Sequence, residues 1–76
     1  MQSAAAQCVL YHESTDFKFS DNGWQFENGT FYAVTGLTGD PGSYSVAVQD
    51  AAAFKCWQEE GWSPWAADDW ACGQYE

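Results

Sequence analysis

The large aromatic side chains are the feature that most constrains how this chain can fold. Among its 76 residues are five Trp, five Phe and four Tyr, against two Leu and no Ile. A chain of this length buries only about 60% of the surface that its unfolded form exposes, so its core is marginal. Each buried aromatic side chain removes roughly 150–250 Å² from water, and a few can anchor such a core. The composition therefore predicts a single folded domain, residues 1–76, and not a disordered acidic tail.

Turn signals in the middle of the chain predict a small antiparallel sheet. Asp-Asn-Gly at 21–23 and Glu-Asn-Gly at 27–29 are typical of hairpin turns, and they separate short aromatic segments. Residues 44–48 alternate apolar with small or polar side chains, as a half-buried strand does. We expect a three-stranded antiparallel meander, with its strands drawn from the segments 17–19, 24–26, 30–34 and 44–48.

Helices are predicted on either side of this sheet. A first helix follows Ser3 as N-cap and continues to about His12, although residues 8–11 could equally form a strand. A second helix covers residues 51–60, with Asp50 as its N-cap and Gly61 as its C-cap.

A third helix is predicted at the carboxyl end of the chain. It begins with Ser63 as N-cap and Pro64 at the first helical position, and it closes at Gly73. The predicted fold class is therefore α+β: a small three-stranded antiparallel sheet packed against two or three short helices.

The three cysteines, Cys8, Cys56 and Cys72, are an odd number and show no Cys-x-x-Cys spacing. The chain begins with Met1 and has no basic residue before its first apolar stretch, so it lacks the charged start of a secretory signal. No run approaches the roughly 18 apolar residues of a membrane span. We expect a cytoplasmic protein with buried thiols, or alternatively a bridge between Cys56 and Cys72.

The chain offers little for catalysis or for metal binding. His12 is the only histidine, and no spacing recommends a Ser, His and Asp arrangement. Zinc sites usually need several Cys and His at short fixed spacings, and the calcium-loop fragment at 21–23 lacks its downstream glutamate. We expect no enzyme activity, no metal and no cofactor.

Charge is the strongest functional signal. The chain has eleven carboxylates, no arginine and a formal net charge of −9, with Lys18 and Lys55 as its only strong bases. Such one-signed charge works against the compact state, so we expect it to serve a basic partner, such as a surface that holds nucleic acid. A carboxylate surface could occupy that groove in place of DNA. A generic solubilising surface is the alternative.

Two sets of carboxylates are candidates for this surface. The first set lies on or beside the two predicted C-terminal helices and is the predicted partner-binding set: Glu59, Glu60, Asp68, Asp69 and Glu76. The second set is spread over the loops around the predicted sheet: Glu13, Asp16, Asp21, Glu27 and Asp40.

Exposed aromatic residues could anchor the same interface. Trp57, Trp62, Trp65 and Trp70 fall within fourteen residues, and a core this small cannot hide every ring. Trp is among the residues most enriched in binding hot spots. We expect Trp62, in the turn between the two C-terminal helices, to be the aromatic anchor.

In size, charge and the predicted order of sheet followed by helices, the chain resembles the small acidic anti-CRISPR proteins of phages. The segment Pro-Gly-Ser-Tyr-Ser-Val-Ala-Val at 41–48 is similar to a turn and strand in one small inhibitor of type I systems. The resemblance implies a monomeric DNA mimic that binds the DNA-recognition surface of a Cascade complex, type I-C being one possibility. It transfers no functional residue by position, because these inhibitors share no common motif.

Two other classes of function fit the same composition. An acidic antitoxin or immunity protein that neutralises a basic nuclease would show the same charge, and a sugar- or protein-binding module could use exposed Trp. Direct binding of nucleic acid is not expected, because phosphates would meet only like charge.

Overall fold

The computed structural model describes residues 3–68 and residue 72, and every regular element in this part of the chain is helical. Within residues 3–68 these elements are three α-helices, α1 (Ala4–Ser14), α2 (Asn28–Thr35) and α3 (Val46–Glu60), together with 3-10 segments at Pro41–Ser43 and Ser63–Asp68. The predicted three-stranded sheet is wrong, and so is the α+β fold class: over the described residues the fold is all-helical.

The predicted strand at 30–34 forms α2 instead. Phe31 and Val34 are buried, and their spacing of three residues places both on one face of a helix. The Asn-Gly pair that predicted a hairpin forms the first turn of this helix. Gly36 closes the helix with a φ of 77°, and its N–H donates to the Tyr32 carbonyl over 2.7 Å.

The predicted strand at 44–48 is the start of α3. Ser45 is the N-cap, because its Oγ accepts a hydrogen bond from the Val48 N–H at 3.2 Å. The predicted N-cap, Asp50, lies inside the helix, where its carboxylate accepts a hydrogen bond of 3.0 Å from Trp24 Nε1. The predicted C-cap at Gly61 is confirmed.

Near the amino end the helix prediction is confirmed over the alternative strand at 8–11. The Ser3 Oγ accepts a hydrogen bond from the Ala6 N–H at 3.1 Å, which makes Ser3 the N-cap of α1. Toward the other end, Ser63–Asp68 forms two short 3-10 turns with a kink at Trp65 in place of the predicted α-helix. The predicted end of that helix, Gly73, lies outside the described residues.

The segments 17–19 and 24–26 are irregular because side chains close the backbone into loops. Asn22 accepts a hydrogen bond from the Phe26 N–H at 2.9 Å and donates to the Phe26 carbonyl at 2.8 Å, so both backbone polar groups of Phe26 are already paired. A strand would need these groups for its neighbour. The loop places Trp24 and Phe26 in the core.

Aromatic rings from four parts of the chain form the centre of the core. Trp65 lies 5.7 Å from Trp24 and 6.1 Å from Phe26, measured between ring centroids. Phe31 on α2 lies 5.5 Å from Phe26 and 5.4 Å from Tyr44. Helix α3 packs against them with small buried residues, Ala52, Ala53 and Cys56.

A disulfide joins Cys8 on α1 to Cys72, which are 64 residues apart in the chain. The prediction of buried thiols is therefore wrong for these two cysteines, and so is the alternative bridge between Cys56 and Cys72. Cys56 is free and buried, as expected. None of the described helices combines the length and the apolar character that crossing a membrane requires.

Candidate functional site: the acidic and aromatic end of α3

Two aromatic rings lie at the surface near the carboxyl end of α3. Phe54 is 45% exposed and Trp57 is 36% exposed, and their rings stack with centroids 6.0 Å apart and planes 21° apart. They are exposed because α3 buries another face, which consists of Gln49, Ala52, Ala53 and Cys56. The small side chains on that face let α3 approach the aromatic core. Phe54 and Trp57 lie outside the buried face and remain at the surface.

The exposed pair is held in place by contact with the core. Trp57 lies 6.1 Å from Trp62, and Trp62 lies 5.7 Å from the buried ring of Trp65. Trp62, the predicted anchor, is half-buried and forms the link between surface and core. Phe54 and Trp57 are more exposed than Trp62, and the sequence analysis did not assign either of them to the site.

Two exposed carboxylates end the same helix. Glu59 and Glu60 both face solvent, and Glu60 follows Trp57 by three residues, which places the two on one side of α3. Their negative charge opposes the helix dipole, so they do not stabilise the helix end. Burial raises the pKa of the Cys56 thiol, and the charges of Glu60 and then Glu59 raise it further.

A cavity of about 360 Å³ opens between this end of α3 and the start of α2. Glu27, the N-cap residue of α2, and Glu60 both line it, one from each helix. Trp24, Phe26 and Trp65 are among its aromatic lining residues. Carboxylates beside aromatic rings suit the cationic side chain of a partner, which gains both charge pairing and cation–π attraction.

Asp68 belongs to the predicted partner-binding set, but the structure places it in the interior. It is 7% exposed, and its buried Oδ2 accepts no hydrogen bond from the described residues. Glu13 on α1 forms a side-chain hydrogen bond with it. Burial first, then this hydrogen bond and the charge of Asp68, raise the pKa of Glu13 to about 8. Glu13 is therefore largely protonated at neutral pH, and the buried Asp68 is not part of the exposed acidic surface.

The remaining predicted carboxylates divide into two groups. Asp16, Asp21 and Asp40 are exposed on the loops that follow α1 and α2. Asp69 and Glu76 lie outside the described residues. The structure thus places Glu60 on the same side of α3 as Trp57 and in one cavity with Glu27, whereas Asp16, Asp21 and Asp40 lie on other loops of the chain.

Comparison with protein-family models, curated proteins and solved structures finds no match to this chain.

Proposed function

We propose that this protein binds a basic, nucleic-acid-binding surface of a partner protein and blocks it, with the carboxyl end of α3 as the contact. The observation that carries the proposal is the exposed ring pair of Phe54 and Trp57 beside the exposed carboxylates Glu59 and Glu60, in a chain with a net charge of −9. Phe19, Tyr11 and Tyr32 are more exposed, but Phe54 and Trp57 form a stacked pair on the helix that ends in two exposed carboxylates.

In this proposal, the carboxylates and the aromatic rings affect different rates, namely association and dissociation. Long-range attraction between the carboxylates and a basic groove speeds association, and it weakens with salt. Aromatic residues that become buried in the complex slow dissociation, which is where most affinity differences arise. The cavity between Glu27 and Glu60 supplies a place for one arginine or lysine side chain of the partner.

In its most specific form, the proposal is an anti-CRISPR activity in the host cytoplasm. The protein would cover the surface of a type I Cascade complex that recognises target DNA, with type I-C as the first system to test. It would bind no nucleic acid itself and would need no catalytic residue.

The test is a binding experiment with purified type I-C Cascade at two salt concentrations. The double charge reversal E59K/E60K is compared with D21K/D40K, which changes the net charge by the same amount on loops away from the carboxyl end of α3. F54A/W57A removes the ring pair. Circular dichroism first confirms that each variant retains its helices.

We expect E59K/E60K to slow association at least tenfold and to abolish competition with target DNA, because charge governs encounter. The F54A/W57A variant should associate normally and dissociate faster. D21K/D40K should slow association only slightly.

The opposite ranking of the two charge-reversal variants would overturn α3 as the contact and assign it to the loop carboxylates. If the parent protein binds no Cascade but inhibits a basic nuclease with the expected ranking, the partner is a nuclease and the antitoxin alternative replaces the anti-CRISPR form. A measurable affinity of the parent for duplex DNA would contradict the mimic itself.

A further inference from the structure

The fold brings three potential metal-binding side chains together along one face of α1. Cys8 and His12 are four residues apart and therefore lie on the same face of the helix. Cys72, from the other end of the chain, joins them, and the three potential ligand atoms all lie within 4.8 Å of one another. Sequence spacing could not reveal this group, because 59 residues of chain separate His12 from Cys72.

We propose that Cys8, His12 and Cys72 bind a zinc ion when the two cysteines are reduced, and that the disulfide is the oxidised state of the same site. The inference does not depend on the proposed function.

The donor set fits zinc in chemistry and in size. Zinc favours thiolate and imidazole ligands, with Zn–S bonds of about 2.3 Å and Zn–N bonds of about 2.0–2.1 Å. Tetrahedral angles then place two ligand atoms roughly 3.3–3.8 Å apart. The two sulfur atoms can reach these separations through side-chain rotation, because Cys8 and Cys72 have Cα atoms only 5.7 Å apart, and a His12 ring nitrogen lies within 4.8 Å of both sulfurs. Three protein ligands leave the fourth position of the metal to water.

The conversion of the disulfide to the zinc-bound state balances in atoms and electrons. A dithiol reductant supplies two electrons and two protons to the Cys8–Cys72 bond, the sulfur–sulfur bond breaks, and two thiols form while the dithiol becomes a disulfide. Zinc then replaces the two thiol protons, which leave to solvent, and the neutral imidazole of His12 supplies the third ligand.

Either state ties residue 72 to α1. The disulfide holds this contact in an oxidising compartment, and the metal holds it where thiols are kept reduced. The three-ligand site therefore lets the same fold persist in both environments, including the cytoplasm.

The test uses the full chain, reduced and freed of reductant under anaerobic conditions, with cobalt(II) as the spectroscopic probe and excess Mg²⁺ to occupy the surface carboxylates. We expect one cobalt ion per chain, with thiolate charge-transfer absorption and the visible bands of a four-coordinate ion, and displacement by zinc. The oxidised chain should show none of these bands.

Substitution of the histidine and the cysteines tests which side chains bind the metal. Because His12 is exposed, H12A should keep the helix and weaken cobalt binding at least tenfold. C8S should lose the charge-transfer absorption of one thiolate, and C56A, which removes the buried third cysteine, should bind as the parent does. If the reduced chain unfolds without metal, zinc should restore its helical circular dichroism in the parent and fail to do so in H12A.

A reduced parent without cobalt bands at one equivalent would overturn the site. Equal binding by H12A and the parent, or loss of binding in C56A with retained helix, would overturn the ligand assignment.

Discussion

At the scale of single residues, Gln49 connects α3 to the loop that carries the core rings. Its side chain is 1% exposed and makes three hydrogen bonds. Oε1 accepts from the Gly23 N–H at 3.1 Å, and Nε2 donates to the carbonyls of Asp21 and Tyr44, both at 2.9 Å. These backbone groups belong to no regular element, so the glutamine takes the place of secondary structure for them.

Gln49→Met should destabilise the protein strongly, because a side chain of similar length replaces the glutamine without its polar groups. An unpaired buried polar group costs about 1–3 kcal/mol, so we expect a loss of roughly 2–4 kcal/mol in the free energy of unfolding. Urea denaturation measures it, with Gln58→Met, at an exposed position of the same helix, as the control. A loss no larger than that of the control would show that the three bonds contribute little.

The Glu13–Asp68 pair predicts how stability depends on pH in the oxidised chain. The pKa of Glu13 rises from 4.5 to about 8 on folding, so between these values the folded state holds a proton that the unfolded state has released. The unfolding free energy therefore falls as pH rises from about 4.5 to 8, by at most about 1.4 kcal/mol per pH unit. Partial solvation of Glu13 makes the total change in unfolding free energy smaller.

Glu13→Gln removes this titration and keeps a hydrogen-bond donor toward Asp68. The variant should match the parent in melting temperature near pH 5 and exceed it at pH 8.5. Thermal melts of both proteins across this range measure the difference. A constant difference at all pH values would mean that Glu13 is not protonated in the folded state.

At the scale of elements, the end of α1 is strained, whereas the end of α2 is not. Thr15, Asp16 and Phe17 follow α1 with φ values of 53°, 58° and 71°, a left-handed conformation that costs a non-glycine residue about 1–2 kcal/mol. The buried Ser14 holds this turn, since its Oγ accepts from the Phe17 N–H at 2.9 Å. Helix α2 ends with Gly36 in the same conformation.

Thr15→Gly should raise the free energy of unfolding by roughly 0.5–1 kcal/mol, because glycine adopts a positive φ without the steric cost of a β-branched side chain. Gly36→Ala is the matched reverse change: an added Cβ meets nothing within 4 Å, so only the backbone cost of about 1 kcal/mol remains. In chemical denaturation, the free energy of unfolding should therefore rise for Thr15→Gly and fall for Gly36→Ala. A destabilised Thr15→Gly would mean that the threonine side chain makes a contact that outweighs the strain.

At the scale of the whole molecule, net charge opposes the compact state. The protein measures 31 × 27 × 20 Å, and eleven carboxylates face two lysines. The screening length is about 30 Å at 0.01 M salt and about 8 Å at 0.15 M. Every carboxylate therefore senses the others across the molecule at low salt, whereas at physiological salt it senses only its neighbours.

The melting temperature should consequently rise between 0.01 M and 0.15 M sodium chloride, because screening relieves repulsion more than it weakens attraction. The E59Q/E60Q variant, with two charges fewer, should show a smaller rise. Differential scanning calorimetry at both salt concentrations gives the comparison. A melting temperature that falls with salt would show that attractive pairs dominate.

Features that depend on neighbouring residues could be predicted from the sequence. The caps Ser3 and Gly61 bond to groups three or four residues away, so their local pattern was sufficient. The strand prediction for residues 44–48 was wrong because it also used only a local pattern. Five alternating residues at 44–48 fit a strand as well as the first turn of a helix, and the cap bond from Val48 to Ser45 favours the helix. A strand is stabilised by packing beside the other strands of a sheet, and the described part of the chain contains no strand that could provide this packing.

The amino-acid sequence alone determined the charge, the supply of aromatic rings and the two helix ends at Ser3 and Gly61. Only the tertiary structure decided which side chains face water. It exposed Phe54 and Trp57 because α3 buries the face that carries Ala52 and Ala53, it buried Asp68 against Glu13, and it brought Cys72 to Cys8. These outcomes depend on contacts between residues far apart in the chain, whose geometry is set by how the helices pack and not by any local pattern.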